Sequence, residues 1–72
     1  MTTDWNAEVK GILKAEFARR HISYKELAEK LREIGVEETE ANLRNKISRG
    51  GFSAGFFVQC LKAIGVQSLR LD

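Results

Sequence analysis

Ser23 to Gly51 reads SYKELAEKLREIGVEETEANLRNKISRGG, and its punctuation decides the fold. Ser23-Tyr24-Lys25-Glu26 has the form of a capping box, in which the Ser hydroxyl and the Glu carboxylate each satisfy a free backbone donor at a helix start. A helix is therefore predicted over 24–34, with Leu27, Ala28, Leu31 and Ile34 as its buried stripe. Gly35 suits the left-handed position that ends a helix without a Cβ penalty. Val36 to Glu38 make the turn. Thr39 then caps a third helix over 39–49, with Leu43 and Ile47 on its apolar side and Gly50-Gly51 closing it. Glu37, Glu38 and Glu40 lie near the positive end of that helix and favour it through its dipole.

The same logic extends outward. Trp5, Val9, Ile12, Leu13 and Phe17 recur at helical spacing behind a capping Asp4 or Thr3, which predicts a first helix over 4–20. Phe52 ahead of Ser53, with Phe57 four residues after that cap, fits a hydrophobic staple at the start of a fourth helix over 53–64. Its core face is Phe56, Phe57, Cys60, Leu61 and Ile64. Gly65 ends it, and Val66 can pack back on Leu61. In the tail 66–72, Leu69 and Leu71 alternate with polar residues, as in a brief strand or an extended arm. The expectation is an all-α domain over 1–72 with four to five short helices.

Seventy-two residues allow one domain, and a chain this small hides only about 60% of the surface it exposes when unfolded. That leaves little room for a deep enzyme cleft. One cysteine, Cys60, excludes an intramolecular disulfide, and with a single histidine it cannot build a Cys-rich or His-rich zinc site. No stretch resembles a signal peptide or the roughly 20 apolar residues of a membrane span, so a cytoplasmic location without membrane contact is expected. The formal net charge is only +2, but it is unevenly spread. Residues 1–40 carry seven Lys or Arg against nine Asp or Glu, hence −2, and residues 41–72 carry five against one, hence +4. Positive potential of this kind attracts nucleic acid.

The basic half contains a polar helical face. At about 100° per residue, Asn42, Asn45, Lys46 and Arg49 span an arc of roughly 100°. Asn can bond adenine through two atoms and Arg can do the same with guanine, so Asn42, Asn45 and Arg49 are candidate base contacts. The same pattern also describes a solvated helix face, or an Asn42 that bonds the neighbouring loop. Lys25, at the start of the second helix where free N–H groups attract anions, is a candidate phosphate contact together with Lys46 and Arg44. Arg44 lies off the polar arc and could instead pair with Glu40.

The order Ser23-Tyr24-Lys25-Glu26-Leu27-Ala28-Glu29-Lys30-Leu31, Gly35-Val36, a polar helix ending Ile47-Ser48-Arg49-Gly50, and Leu61-Lys62-Ala63-Ile64-Gly65-Val66 resembles λ repressor-like (phage-repressor-like) helix-turn-helix domains over about two thirds of the chain. That resemblance implies a DNA-binding unit of the second and third helices, the third lying in the major groove of double-stranded DNA. Trp5, the run Glu38 to Lys46, and Phe52 to Leu61 are also similar to a family of small bacterial domains of unknown function, a resemblance that implies a fold and no activity. Two departures stand out. Six residues separate Ala28 from Gly35 where the repressor pattern has three, and three glutamates precede the polar face. Many such repressors continue into a fifth helix that helps them dimerise, and these 72 residues are not expected to supply that extension.

Opposite the apolar stripe of the first helix, Ala7, Gly11, Ala15 and Ala18 cluster within an arc of about 80°. Glycine inside an exposed helix costs about 1 kcal/mol relative to alanine, so the small residues are a candidate homodimer contact, or simply good helix formers with one tolerated glycine. Glu16 falls within the apolar arc and needs a partner such as Arg20, one turn on. It has no second carboxylate, nucleophile or phosphate-cradling loop beside it, so no catalytic set forms. His21 belongs to the first connection, and Cys60 reads as a small buried hydrophobe. The expected function is duplex-DNA binding and transcription regulation without catalysis, metal, cofactor or small-molecule substrate. The alternative is a protein-interaction or homodimerisation module that kept the fold without reading DNA.

Overall fold

The computed structural model describes residues 3–71 and consists of four helices, α1 (Trp5–Arg20), α2 (Tyr24–Glu33), α3 (Glu40–Arg49) and α4 (Ala54–Ala63), with no strand among the described residues. Met1, Thr2 and Asp72, the ends of the domain expected over 1–72, lie outside the described residues. Each helix starts where the caps predict. Asp4, Ser23, Thr39 and Ser53 all sit in extended conformation and accept a hydrogen bond from the backbone N–H three residues on. At Ser23 the full capping box forms, with Glu26 reaching back to the Ser23 N–H. The caps themselves lie outside the helices, so α1, α3 and α4 begin one residue later than expected.

Three helices end in the same way. Ile22 N–H donates to Phe17 C=O at 2.8 Å, Val36 to Leu31 at 2.9 Å and Val66 to Leu61 at 2.9 Å, the six-to-one bond of a Schellman motif. In each case the two side chains joined by this bond pack on or within the core. Gly35 and Gly65 occupy the left-handed positions of α2 and α4, at φ +83° and +82°. In α1 that position belongs to His21, at φ 56° and ψ 44°, the one non-glycine residue with positive φ among the described residues. An L-residue there costs roughly 1 to 2 kcal/mol, and the exposed His21 side chain makes no hydrogen bond among the described residues that offsets it. His21→Gly is therefore expected to raise stability by about 1 kcal/mol, less some unfolded-state entropy, shifting the melting temperature upward by roughly 4 to 8 °C. Thermal unfolding followed by circular dichroism checks it; an unchanged or lower midpoint would show that the imidazole makes a contact of its own.

The core joins all four helices: Leu13 and Phe17 from α1, Leu27, Ala28 and Leu31 from α2, Leu43 and Ile47 from α3, and Phe56 and Cys60 from α4, with Ile64 just beyond it. Leu13, Leu27, Leu31, Leu43 and Ile47 are fully buried, each contributing about 1.5 to 3 kcal/mol relative to exposure. Phe52 stacks on Phe57 at 6.3 Å and meets Phe56 edge-on at 5.4 Å, which fixes the entry into α4 as the staple predicts.

Two expected core residues are exposed, and Phe57 and Leu61 are half-buried against the core. Trp5 is 71% exposed and Ile34 is 49% exposed. The first turn of α1 overhangs the core, since a 16-residue helix is roughly 24 Å long and its partners are 10-residue helices. Val9 and Ile12 are half-buried on the way in. Ile34 is the C-cap of α2, where the chain leaves helical geometry and the stripe loses its register. In the tail, Leu69 is half-buried and Leu71 lies on the surface, without strand geometry.

Glu16 is 6% exposed and pairs with both Arg19 and Arg20, the latter at 3.8 Å. Arg19 supplies the hydrogen bond, and the expected Arg20 adds only the longer ion-pair contact. A buried carboxylate held by two guanidinium groups on its own helix is a structural ion pair.

Candidate nucleic-acid interface

The outer side of α3 is built by its inner side. Leu43 and Ile47 are buried in the core, where α3 packs chiefly on α2, and this leaves Asn42, Asn45 and Arg49 exposed. None of these three side chains makes a hydrogen bond or ion pair with another described residue. The Asn42 backbone N–H donates to Thr39 Oγ1 at 3.0 Å, but its amide side chain does not bond the loop.

The other two cations of α3 are engaged. Arg44 places its guanidinium 5.2 Å from the Tyr24 ring centroid and 4.0 Å from the Glu40 carboxylate. Lys46 pairs with Glu38, and its amino group lies 4.6 Å from the Phe56 ring centroid. Such cation–ring contacts are worth about 0.5 to 1 kcal/mol at exposed sites and more when desolvated. The polar arc on α3 thus divides. Asn42, Asn45 and Arg49 point to solvent, whereas Lys46 reaches from the edge of the arc over α4.

Two grooves flank this face. One, of about 480 Å³, lies between α2 and the start of α3 and is lined by Lys25, Glu29, Arg32, Glu37 and Asn42 among others, so Lys25 and Asn42 share one concavity. The second, between the end of α3 and the start of α4, brings Arg49 and Lys46 together beside Gly50, Gly51 and Ser53. Lys25, Arg32 and Arg49 carry no ion-pair partner among the described residues. Of the three acids ahead of α3, Glu38 and Glu40 are paired, and Glu37 alone is not. Glu38 and Glu40 are thus partnered from within, while Glu37 and Glu29 line the first groove with no ion-pair partner among the described residues.

The candidate dimer face is equally open. Ala7, Gly11, Ala15 and Ala18 are all exposed, and a Cβ built on Gly11 would meet nothing within 4 Å. Cys60, by contrast, is fully buried, and burial pushes its thiol up to about 12, helped by Glu38 and opposed by Lys46. A thiol held protonated there is a poor nucleophile.

Sequence reasoning missed Lys10 and Asn6. Lys10 Nζ donates to the Ser48 carbonyl at 2.8 Å, bridging α1 to the last turn of α3. Asn6 packs against the Gly50-Gly51 turn, with its carbonyl oxygen 3.4 Å from where a Gly50 Cβ would stand. Both are polar residues whose periodicity carries no signal.

Among the described residues no helix is long and apolar enough to cross a membrane, and no group of three or more His, Cys, Asp or Glu side chains is placed to share a metal ion. No curated protein and no solved structure matches the chain. Residues 5–69 do match a family model described as Domain of unknown function (DUF6471), and the chain belongs to that family.

Proposed function

We propose that this chain is a non-catalytic, cytoplasmic module that binds duplex DNA as a λ repressor-like helix-turn-helix domain and acts as a transcriptional regulator. In this reading α3 lies in the major groove, Asn42, Asn45 and Arg49 meet base edges, and Lys25 meets phosphate. One observation carries it: Asn42, Asn45 and Arg49, each able to bond a base through two atoms, are exposed and unpartnered among the described residues, while Arg44 and Lys46 are engaged by Glu40 and Glu38. The Tyr24 and Lys25 N–H groups, which the capping box leaves over at the start of α2, add donors for an anion. Arg44 and Lys46 contribute phosphate contacts only by releasing Glu40 and Glu38. The connection from Ile34 to Thr39 is six residues, longer than the three or four of a standard helix-turn-helix turn. In this reading the longer turn gives α3 an approach to the groove of its own rather than the standard docking pose.

Selection of bound duplexes from a random pool at low and moderate salt tests the reading. Enrichment of one motif is expected, with an observed affinity that falls steeply as salt rises. A pool with no enriched motif at either salt would overturn it.

A second reading, a homodimerising or protein-interaction module, draws on the exposed Ala7-Gly11-Ala15-Ala18 face, against which another helix can approach closely. Apolar association there would be nearly insensitive to salt, which separates it from DNA binding. The two readings are compatible if helix α1 joins two DNA-binding copies.

A further inference from the structure

We infer that Lys10 is a positioning residue for α3: together with Asn6 it latches the start of α1 to the end of α3 and so sets where Arg49 is presented. The inference rests on the DNA reading above for its functional half and on geometry alone for its structural half. Helices α1, α2 and α4 close their own ends through the Schellman bonds. Helix α3 does not. Its turn makes one backbone bond, Gly50 N–H to Ile47 C=O at 3.2 Å, and the chain then leaves through two glycines of positive φ. The last four carbonyls of a helix lack intrahelical donors. At α3, the Ser48 carbonyl is taken by Lys10 Nζ at 2.8 Å, a contact between residues 38 apart in sequence. A cation at this position also complements the negative end of the α3 dipole.

Asn6 adds a second, independent contact one turn earlier on α1. Its backbone oxygen lies 3.4 Å from the position of a Cβ on Gly50, and its Nδ2 lies 3.5 Å from that of a Cβ on Gly51. Lys10 therefore holds the residue before Arg49, and Asn6 lies against the residue after it. Arg49 itself has no partner among the described residues, so the backbone on either side is what limits where its guanidinium can go. The last turn of α3 is a helix end completed by a different helix, and a force on α1 is carried to it directly.

The test uses the full chain with Lys10→Met, which keeps the apolar stem and removes the donor, and Lys10→Arg, which restores a cationic donor. Both are compared at a temperature where circular dichroism shows each fully folded. Amide hydrogen exchange reads the latch without DNA. In Lys10→Met the amides of Ser48, Arg49 and Gly50 should exchange faster while that of Leu43 is unchanged. Equal exchange at all four would overturn the latch. Binding to a duplex selected by the wild type and to a scrambled duplex reads the positioning. The ratio of the two affinities should fall about 5- to 150-fold in Lys10→Met, the span of one bidentate base contact, with an unchanged salt slope and recovery in Lys10→Arg. An unchanged ratio would make Lys10 merely structural and overturn the inference. An unchanged ratio with a salt slope smaller by about 0.9 would make Lys10 a phosphate contact, which also overturns it. If the wild type selects no duplex, the DNA reading and the positioning role fall together, and the exchange data alone decide whether the latch exists.

Discussion

Gly50→Ala is expected to lower the stability of the domain by about 1 to 3 kcal/mol, the cost of holding an L-residue in a region of backbone space open essentially only to glycine. Gly50 sits at φ +72° and ψ −168°. Space is not the obstacle, since a Cβ would come no closer than 3.4 Å to the Asn6 carbonyl oxygen. The backbone itself is. For a chain of this size the melting temperature should fall by roughly 5 to 20 °C. The same substitution at Gly11 should have the opposite sign. Gly11 lies inside α1 with ordinary helical φ, and its Cβ position is open, so Gly11→Ala should add about 1 kcal/mol. Thermal unfolding of the two variants beside the wild type checks both signs. A loss at Gly11, accompanied by weaker self-association in sedimentation, would mean that a second helix lies against that residue. Equal small losses at both sites would contradict the backbone geometry at Gly50.

Arg49→Ala should weaken binding to a selected duplex by about 5- to 150-fold, the value of 1 to 3 kcal/mol for one bidentate base contact, and should relax preference at one base pair. Asn45→Ala should act in the same way at a different base pair. Neither variant should alter stability by more than about 0.5 kcal/mol, because both side chains are exposed and unpartnered. Lys62→Ala, on the exposed side of α4 and outside both flanking grooves, serves as the control. Fluorescence anisotropy of a labelled duplex at two salt concentrations makes the measurement. Arg49 and Asn45 variants that match wild type in affinity and preference would remove α3 from base reading and favour the interaction module.

The helices were legible because their signals are local. A capping residue and the N–H it satisfies lie three positions apart, so Asp4, Ser23, Thr39 and Ser53 mark their helices whatever packs around them. Gly35 and Gly65 announced two Schellman ends for the same reason. The third was hidden because His21 occupies the position that glycine would have advertised. Leu43 and Ile47 identified the inner side of α3, and with it the outward face of Asn42, Asn45 and Arg49.

Composition, caps and periodicity by themselves determined four helices, their boundaries to within a residue, and most of the core, since each depends on interactions within about one helical turn. Only the tertiary structure decided three things. Trp5 shares a stripe with Val9 and Phe17, but how far along α1 the core extends depends on the lengths of the helices it meets. Lys46 shares an arc with Asn42 and Arg49, but the placement of Phe56 and Glu38 beside it decides that its charge is spent internally. Lys10 closes α3 from 38 residues away. Periodicity assigns a side chain to a face, and the distance to a partner from another helix then settles which charges on that face remain free.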